Sequence, residues 1–198
     1  MNRKIGVIGS VTNAAAVIVF AVSMLFRFNF GSYFASMFIA FSFVIMMCGY
    51  AFYSGKDRKL VGCTAAVFSA VYATIILLVY FAQLTTVRAG GLTPASEDML
   101  DFQRMGLMFN YDLLGYGLMA LSTFFAGLTV EQKSKLDKWL KLLLLIHGVF
   151  FISCLAIPML GIFKADGSPW IGIAVLEFWC ICFCPVGILS ALYFSKKQ

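Results

Sequence analysis

Six long runs of apolar residues fill this chain, and shorter polar segments separate them. The runs are Ile5–Phe26, Tyr33–Tyr53, Leu60–Leu84, Met105–Val130, Leu140–Phe163 and Trp170–Phe194. Each has at least the roughly 20 residues that an α-helix needs to cross a bilayer. Because apolar residues do not alternate with polar ones, the runs are predicted to be helices rather than barrel strands. The pattern predicts an all-α polytopic membrane protein, a bundle of six transmembrane helices.

Composition agrees with this architecture and leaves no room for a separate soluble domain. The runs occupy most of the 198 residues, so residues 1–198 are predicted to form one six-helix transmembrane domain. Hydrophobic residues make up 62% of the chain and charged residues 12%. That charged fraction is about half of the roughly 25% typical of soluble domains. The mean hydropathy is +0.93.

Basic residues predict how the bundle is oriented. Those at every second boundary, on the side of both termini, are Arg3, Lys4, Lys56, Arg58, Lys59, Lys133, Lys135, Lys138, Lys141, Lys196 and Lys197. The opposite side has only Arg27, Arg88, Arg104 and Lys164. The positive-inside rule therefore places the N and C termini in the cytoplasm of a multi-pass cell-membrane protein. The cytoplasmic basic residues account for the net charge of +6. The charge is therefore not taken as a sign of nucleic-acid binding, and no nucleic-acid partner is predicted.

Polar groups at membrane depth carry the functional signal. Asp112 lies eight residues beyond Arg104, Glu177 eight beyond Pro169, and Tyr80 eight before Arg88. At 1.5 Å per residue, all three side chains lie about 12 Å below the outer boundary. Charged groups inside a membrane are expected to face the bundle interior and to find partners or a function.

These residues define a hypothetical outward-facing polar pocket. Asp112 and Glu177 would bind a small molecule or cation, or exchange protons. Tyr80, Gln83 and Tyr116 would supply hydrogen bonds, and Arg88 and Arg104 would line the mouth. The competing interpretation is that each acid is bonded to neighbouring polar groups and merely locks the bundle.

The remaining candidate residues favour structural interpretations. His147, the only histidine, is expected to be neutral and hydrogen-bonded across helices rather than to relay protons. All six cysteines fall inside predicted helices, where they serve as packing residues. The cluster Cys180, Cys182 and Cys184 lacks the four ligands that zinc requires. No metal site and no cofactor are predicted.

The connections and helices carry further signals. Residues Thr85–Arg104 form an outer loop of about 20 residues, long enough to be a lid or a re-entrant element, with a solvated connector as the alternative. In this loop Thr93-Pro94 fits the start of a short helix.

Small residues every four positions predict close helix packing: Gly6, Ser10 and Ala14 in the first run, Gly62, Ala66 and Ala70 in the third, and Ser122 and Ala126 in the fourth. Pro158 and Pro185 should kink the fifth and sixth helices.

No enzyme signature is present among the glycine-rich, zinc-binding and nucleophile motifs. In length, helix count and predicted orientation the chain resembles the substrate-binding subunits of energy-coupling-factor vitamin transporters, although no motif carries the resemblance. The leading hypothesis is therefore a small-molecule or ion transporter, or a membrane-embedded solute-binding subunit. The alternatives are an intramembrane enzyme acting on a lipid-like substrate, and a structural or sensory partner of another membrane protein.

Overall fold

The computed structural model describes residues 1–162 and 169–197. Within these residues the chain forms α-helices and short helical turns, and no β-strand. The helices are α1 (Asn2–Leu25), α2 (Asn29–Tyr53), α3 (Lys59–Ala82), α4 (Pro94–Leu100), α5 (Leu107–Thr129), α6 (Lys135–His147), α7 (Phe150–Met159) and α8 (Pro169–Ser195).

Six segments of the described residues are long and apolar enough to cross a membrane, which confirms the predicted fold class. They are α1, α2, α3 with its flanking turns, α5, the pair α6–α7, and α8. Most observed ends lie within a few residues of the predicted ones. The fifth segment begins at Lys135, five residues before the predicted Leu140, and its predicted end at Phe163 lies outside the described residues.

The six segments form a closed ring. Helix α1 packs between α2 and α8, α2 packs on α3, and α3 packs on α5. Helix α5 contacts both α6 and α7, and α6 closes the ring against α8. Met1, Tyr53 and Lys197 line one surface recess, so both termini lie on the same side, here called the termini side. The far side carries the α1–α2 and α3–α5 connections.

Small residues set the distances between neighbouring helices. The buried Gly62 of α3 lies so close to α2 that an added Cβ would be 2.8 Å from the Ala51 Cα. Likewise, a Cβ at Gly187 of α8 would be 3.0 Å from the Ala14 Cβ of α1. Helices in lipid gain stability from such close packing because no hydrophobic force drives them together.

The predicted packing stripes are right for two helices and partly wrong for the third. Gly6, Ser10 and Ala14 are buried on α1, and Ser122 and Ala126 are buried on α5. On α3 the buried small residues are Gly62, Ala65, Ser69 and Ala73, whereas Ala70 is exposed. The Ser122 hydroxyl donates to the Ala65 carbonyl at 2.7 Å, so the side of α3 that carries Ala65 faces α5.

The fifth span is interrupted before its proline. Helix α6 ends at His147 and α7 begins at Phe150, while Pro158 lies near the end of α7. The Gly148 and Val149 amides donate to carbonyls three residues back, at 3.1 and 3.0 Å. This tightened turn, rather than Pro158, separates the two halves. Pro185 lies within the continuous α8.

The long far-side connection contains the predicted short helix. Helix α3 continues as a π-helical turn, Gln83–Val87, before α4 begins at Pro94. The Thr93 hydroxyl accepts a hydrogen bond from the Ser96 amide and caps α4, as the sequence predicts. Gly90 and Gly91 have φ values of +73° and +76°, a conformation that favours glycine.

Candidate functional site

Asp112 lies on the face of α5 that packs against α3. Its side chain is 4% exposed. The next turn of α5 is held close to α3, because a Cβ at Gly115 would be 2.9 Å from Ile76 Cδ1. The close approach of the two helices places the Asp112 carboxyl group among tyrosines of α3.

Three tyrosines and one serine surround Asp112. Tyr80 and Tyr72 of α3 are 2% and 0% exposed. Tyr116 follows Asp112 by one turn and therefore shares its face of α5. Electrostatic interactions link Asp112 to all three tyrosines, and Ser36 of α2 interacts with Tyr80 and Tyr116. We call these five side chains the Asp112 cluster.

The cluster contains polar atoms that lack hydrogen-bond partners. Asp112 Oδ1, Tyr72 Oη and Tyr116 Oη are buried, and none has a partner with hydrogen-bonding geometry among the described residues. Polar groups of the cluster itself lie close by, Tyr116 beside Tyr72 and Tyr80 beside Asp112. The Tyr72 and Tyr116 ring centroids are 5.8 Å apart. Leaving one buried hydroxyl without a partner costs about 1–3 kcal/mol. These three oxygens make the cluster a candidate binding site.

The α4–α5 connection lies over the far side of the cluster. We call residues 100–104 the Phe102 turn. The Phe102 ring packs against Tyr80 and Tyr33, with centroids 6.1 and 6.0 Å away, and Tyr33 packs on Tyr80 at 5.4 Å. These aromatic contacts separate the cluster from the far-side surface.

Gln83 fastens the Phe102 turn to the end of α3. Its Nε2 donates to the Leu100 carbonyl at 2.7 Å, and its Oε1 accepts from the Phe102 amide at 3.0 Å. Gln103 adds a bond from its Nε2 to the Tyr33 hydroxyl at 2.8 Å. The side-chain amide of Gln83, predicted to serve the pocket, is therefore committed to the covering turn in this conformation.

The two predicted mouth arginines lie exposed on the far side. Arg104 pairs with Glu97 of α4 at 2.8 Å, and hydrogen bonding to Glu97 raises the pKa of Arg104 above its usual value. The Arg88 guanidinium lies 4.9 Å from the centre of the Phe30 ring. Arg104 thus braces the connection from α4, and Arg88 lies against α2.

Glu177 lies on α8 and is partly exposed. Its Oε1 is buried and has no partner among the described residues, and the carboxyl group interacts with Cys180 one turn along α8. Asp112 interacts with tyrosines of α2, α3 and α5 and with Cys154 of α7. A site shared by the two carboxyl groups stays a prediction.

His147 is fully hydrogen-bonded, as predicted. The Trp179 indole N–H donates to His147 Nε2 at 2.9 Å, and His147 Nδ1 lies 2.8 Å from the Thr123 hydroxyl. Thr123 in turn donates to the Ala120 carbonyl at 2.7 Å. Since an indole nitrogen can only donate, this chain of bonds fits a neutral imidazole with its proton on Nδ1. The residue links α5, α6 and α8.

The cysteines of the described residues are all free. Cys180 and Cys184 share a face of α8. Among the described residues no group of three histidine, cysteine, aspartate or glutamate side chains is placed to hold a metal ion.

Sequence reasoning missed two members of the Asp112 cluster, Tyr72 and Ser36. Tyr72 precedes Tyr80 by eight residues, close to two helical turns, so helical periodicity alone puts them on one face. Nothing in the sequence distinguishes Ser36 from the other serines of α2. The contacts of the Phe102 turn were also not predicted.

No known protein family, curated protein or solved structure matches this chain. The resemblance to energy-coupling-factor subunits therefore consists of length, helix count and predicted orientation.

Proposed function

We propose that this membrane protein is a transporter, or the membrane-embedded solute-binding subunit of one, which binds a small cation at the Asp112 cluster. The observation that carries the proposal is the convergence of Asp112 Oδ1, Tyr72 Oη and Tyr116 Oη, buried and without partners. An ionised carboxylate in a spanning helix costs about 2.5–3.5 kcal/mol to insert. Such residues commonly mark ion or substrate pathways.

The chemistry of the cluster suits a cation that has shed its water. The carboxylate of Asp112 supplies charge, and the tyrosine hydroxyls supply oxygen atoms in place of hydration. The ion pairs of the described residues involve Arg104, Lys133 and Lys196 as their cations, and none includes Asp112. Because one carboxylate holds one proton or one monovalent cation at a time, the site supports exchange between the two.

Access to this site requires movement of the Phe102 turn. The turn is held by the side chains of Gln83 and Gln103. The Phe102 ring also packs on Tyr80 and Tyr33. The turn follows α4, and the connection from α3 to α4 contains Gly90 and Gly91. These contacts involve the far-side ends of α2 and α3, so the turn can move away while the ring of spanning helices stays assembled. We infer that ligand enters from the far side, which the charge bias assigns to the exterior.

Charge movement in reconstituted membranes tests the proposal. The full chain would be placed in proteoliposomes on a solid-supported membrane and exposed to jumps of sodium, potassium, methylammonium or pH. Binding of a cation to Asp112 within the membrane moves charge and produces a transient current. We expect at least one ligand to give a current, and Asp112→Asn to abolish it.

The matched control is Asp57→Asn, which makes the same change at an exposed position on the termini side. Its current should equal that of the parent protein. Currents that persist in Asp112→Asn, or no current above that of protein-free liposomes for any of the four jumps, would overturn the proposal.

A further inference from the structure

The Asp112 cluster also carries information about the chemical class of its ligand, an inference that rests on the proposed function. Its three partnerless atoms are all oxygens, one from a carboxylate and two from phenols. A carboxylate can only accept hydrogen bonds, whereas a phenol can both accept and donate. A ligand that donates to all three oxygens needs three donors that point in different directions, and each phenol is then free to donate its own proton to a neighbouring oxygen of the cluster.

The charge of the cluster limits the chemical class of the ligand further. Asp112 is the only acid of the cluster, and the other members are three tyrosines and a serine. Calcium takes six to eight oxygen ligands and magnesium demands an octahedral set, which one carboxylate and a few hydroxyls supply poorly. A single positive charge matches a single carboxylate.

Aromatic rings form the walls of the cluster. The Tyr116 ring lies 5.8 Å from Tyr72 and 5.4 Å from Trp179, measured between centroids. Tyr72 also packs on Phe43 at 5.3 Å. The face of an aromatic ring attracts cations, and such rings commonly recognise nitrogen-centred ones. A hydrated metal ion would exchange its water for the few oxygens of the cluster, whereas an ammonium group can also donate a hydrogen bond to each of them.

We propose that the Asp112 cluster binds an ammonium group, either the ammonium ion or the end of a primary amine. The three N–H bonds of a primary ammonium match the three oxygens in number. One N–H donates to Asp112 Oδ1 and forms the ion pair, and the others donate to Tyr72 Oη and Tyr116 Oη. A quaternary ammonium has the same charge but no N–H, so it leaves all three oxygens unsatisfied.

Thermal unfolding of the detergent-solubilised full chain tests this assignment. Ammonium, methylammonium, butylammonium, tetramethylammonium and sodium chlorides would be compared at equal ionic strength. At ligand concentrations near a hundred times Kd, binding should raise Tm by about 5 °C. We expect this rise with methylammonium, and no rise with tetramethylammonium or sodium. The comparison of ammonium with butylammonium distinguishes a free ion from the end of an amine.

Variants separate the site from general salt effects. Asp112→Asn should abolish the methylammonium shift, and Tyr72→Phe and Tyr116→Phe should reduce it. Tyr111→Phe provides the matched control, because Tyr111 precedes Asp112 on α5 but is 45% exposed. The two phenylalanine variants keep the proposal testable if Asp112→Asn does not fold.

Three outcomes overturn the ammonium assignment. Equal shifts with sodium or tetramethylammonium would show a site that needs no N–H donor, and a methylammonium shift that survives in the Asp112 and tyrosine variants would show binding elsewhere. Absence of any methylammonium shift has the same force. If sodium or pH jumps still give Asp112-dependent currents, the proposed function survives and only the ligand class fails.

Discussion

At the scale of single residues, His147 and Asp112 are both buried polar groups, but they differ in their hydrogen bonding. His147 has a partner for each ring nitrogen, Trp179 and Thr123. The Asp112 cluster has three buried oxygens without partners. Buried polar groups in stable cores are usually paired. His147 therefore fits a structural role, whereas the Asp112 cluster is the candidate site of the bundle.

This contrast predicts an unusual effect for Tyr72→Phe. The Tyr72 side chain is fully buried and its hydroxyl has no partner, so removing the hydroxyl removes an uncompensated desolvation cost. We expect the free energy of unfolding of the ligand-free protein to rise by about 1–3 kcal/mol. The measurement is unfolding in mixed micelles of dodecyl sulfate and a mild detergent.

Tyr50→Phe is the matched control for this measurement. Tyr50 is also buried, but its hydroxyl lies 2.7 Å from that of Ser190 and shares a hydrogen bond with it. Its loss should lower the free energy of unfolding by about 1 kcal/mol. Equal losses in both variants would mean that the Tyr72 hydroxyl is paired after all, and would weaken the case for a ligand.

The residues of the cluster were predictable only in part. Counting residues from the charged boundaries placed Asp112 and Tyr80 at one depth, because helical rise converts sequence distance into depth. The same count gave Glu177 an equal depth but could not assign its direction around α8. Rotation of a helix about its axis depends on packing with several neighbours, and continuous apolar sequence does not specify it.

At the scale of elements, spanning segments were predictable because the bilayer fixes their length and composition. The interruption at Gly148 was not predictable, because the sequence placed the expected bend at Pro158. The structure explains the difference: a Cβ at Gly148 would be 2.8 Å from the Phe124 Cβ. Close contact with α5, a tertiary effect, determines where α6 gives way to α7.

The Phe102 turn is the element whose stability should control access to Asp112. Gln83→Leu keeps the approximate size of the side chain and removes its bonds to Leu100 and Phe102. A net loss of about 1.4 kcal/mol corresponds to tenfold more frequent opening. We expect hydrogen–deuterium exchange of the Phe102 amide, which donates to Gln83, to accelerate about tenfold.

Gln132→Leu makes the same replacement at an exposed position near the termini side and should leave this exchange unchanged. If Gln83→Leu also has no effect on exchange at Phe102, the turn is held by its aromatic contacts, and Gln83 is not its clamp.

At the scale of the whole molecule, ring closure explains how the site is held. Helices α3 and α5 supply most of the Asp112 cluster, α2 adds Ser36, and α8 adds the Trp179 wall. Since α1 packs against both α2 and α8, it links the two flanks of the site without contributing to it. We expect ring closure to keep these flanks fixed if the Phe102 turn opens.

The orientation of this ring decides which compartment the site serves. Met1 and Lys197 line one recess, and eleven of the fifteen basic residues belong to that side by sequence. The positive-inside rule then predicts that the termini side is cytoplasmic. In a bacterial host, green fluorescent protein fused after Gln198 should fluoresce, and alkaline phosphatase inserted between Gly90 and Gly91 should be active.

Replacement of Lys56, Arg58 and Lys59 by glutamine supplies the internal check. The weaker charge bias should let part of the protein insert in the opposite orientation, so phosphatase activity should fall below that of the parent protein. An inactive phosphatase together with a dark fluorescent protein would invert the topology. The Phe102 turn would then face the cytoplasm, and the Asp112 cluster would load its ligand from inside the cell. Such a result would leave the cation chemistry of the cluster intact and reverse its transport direction, since the same covering turn would then control entry from the cytoplasm.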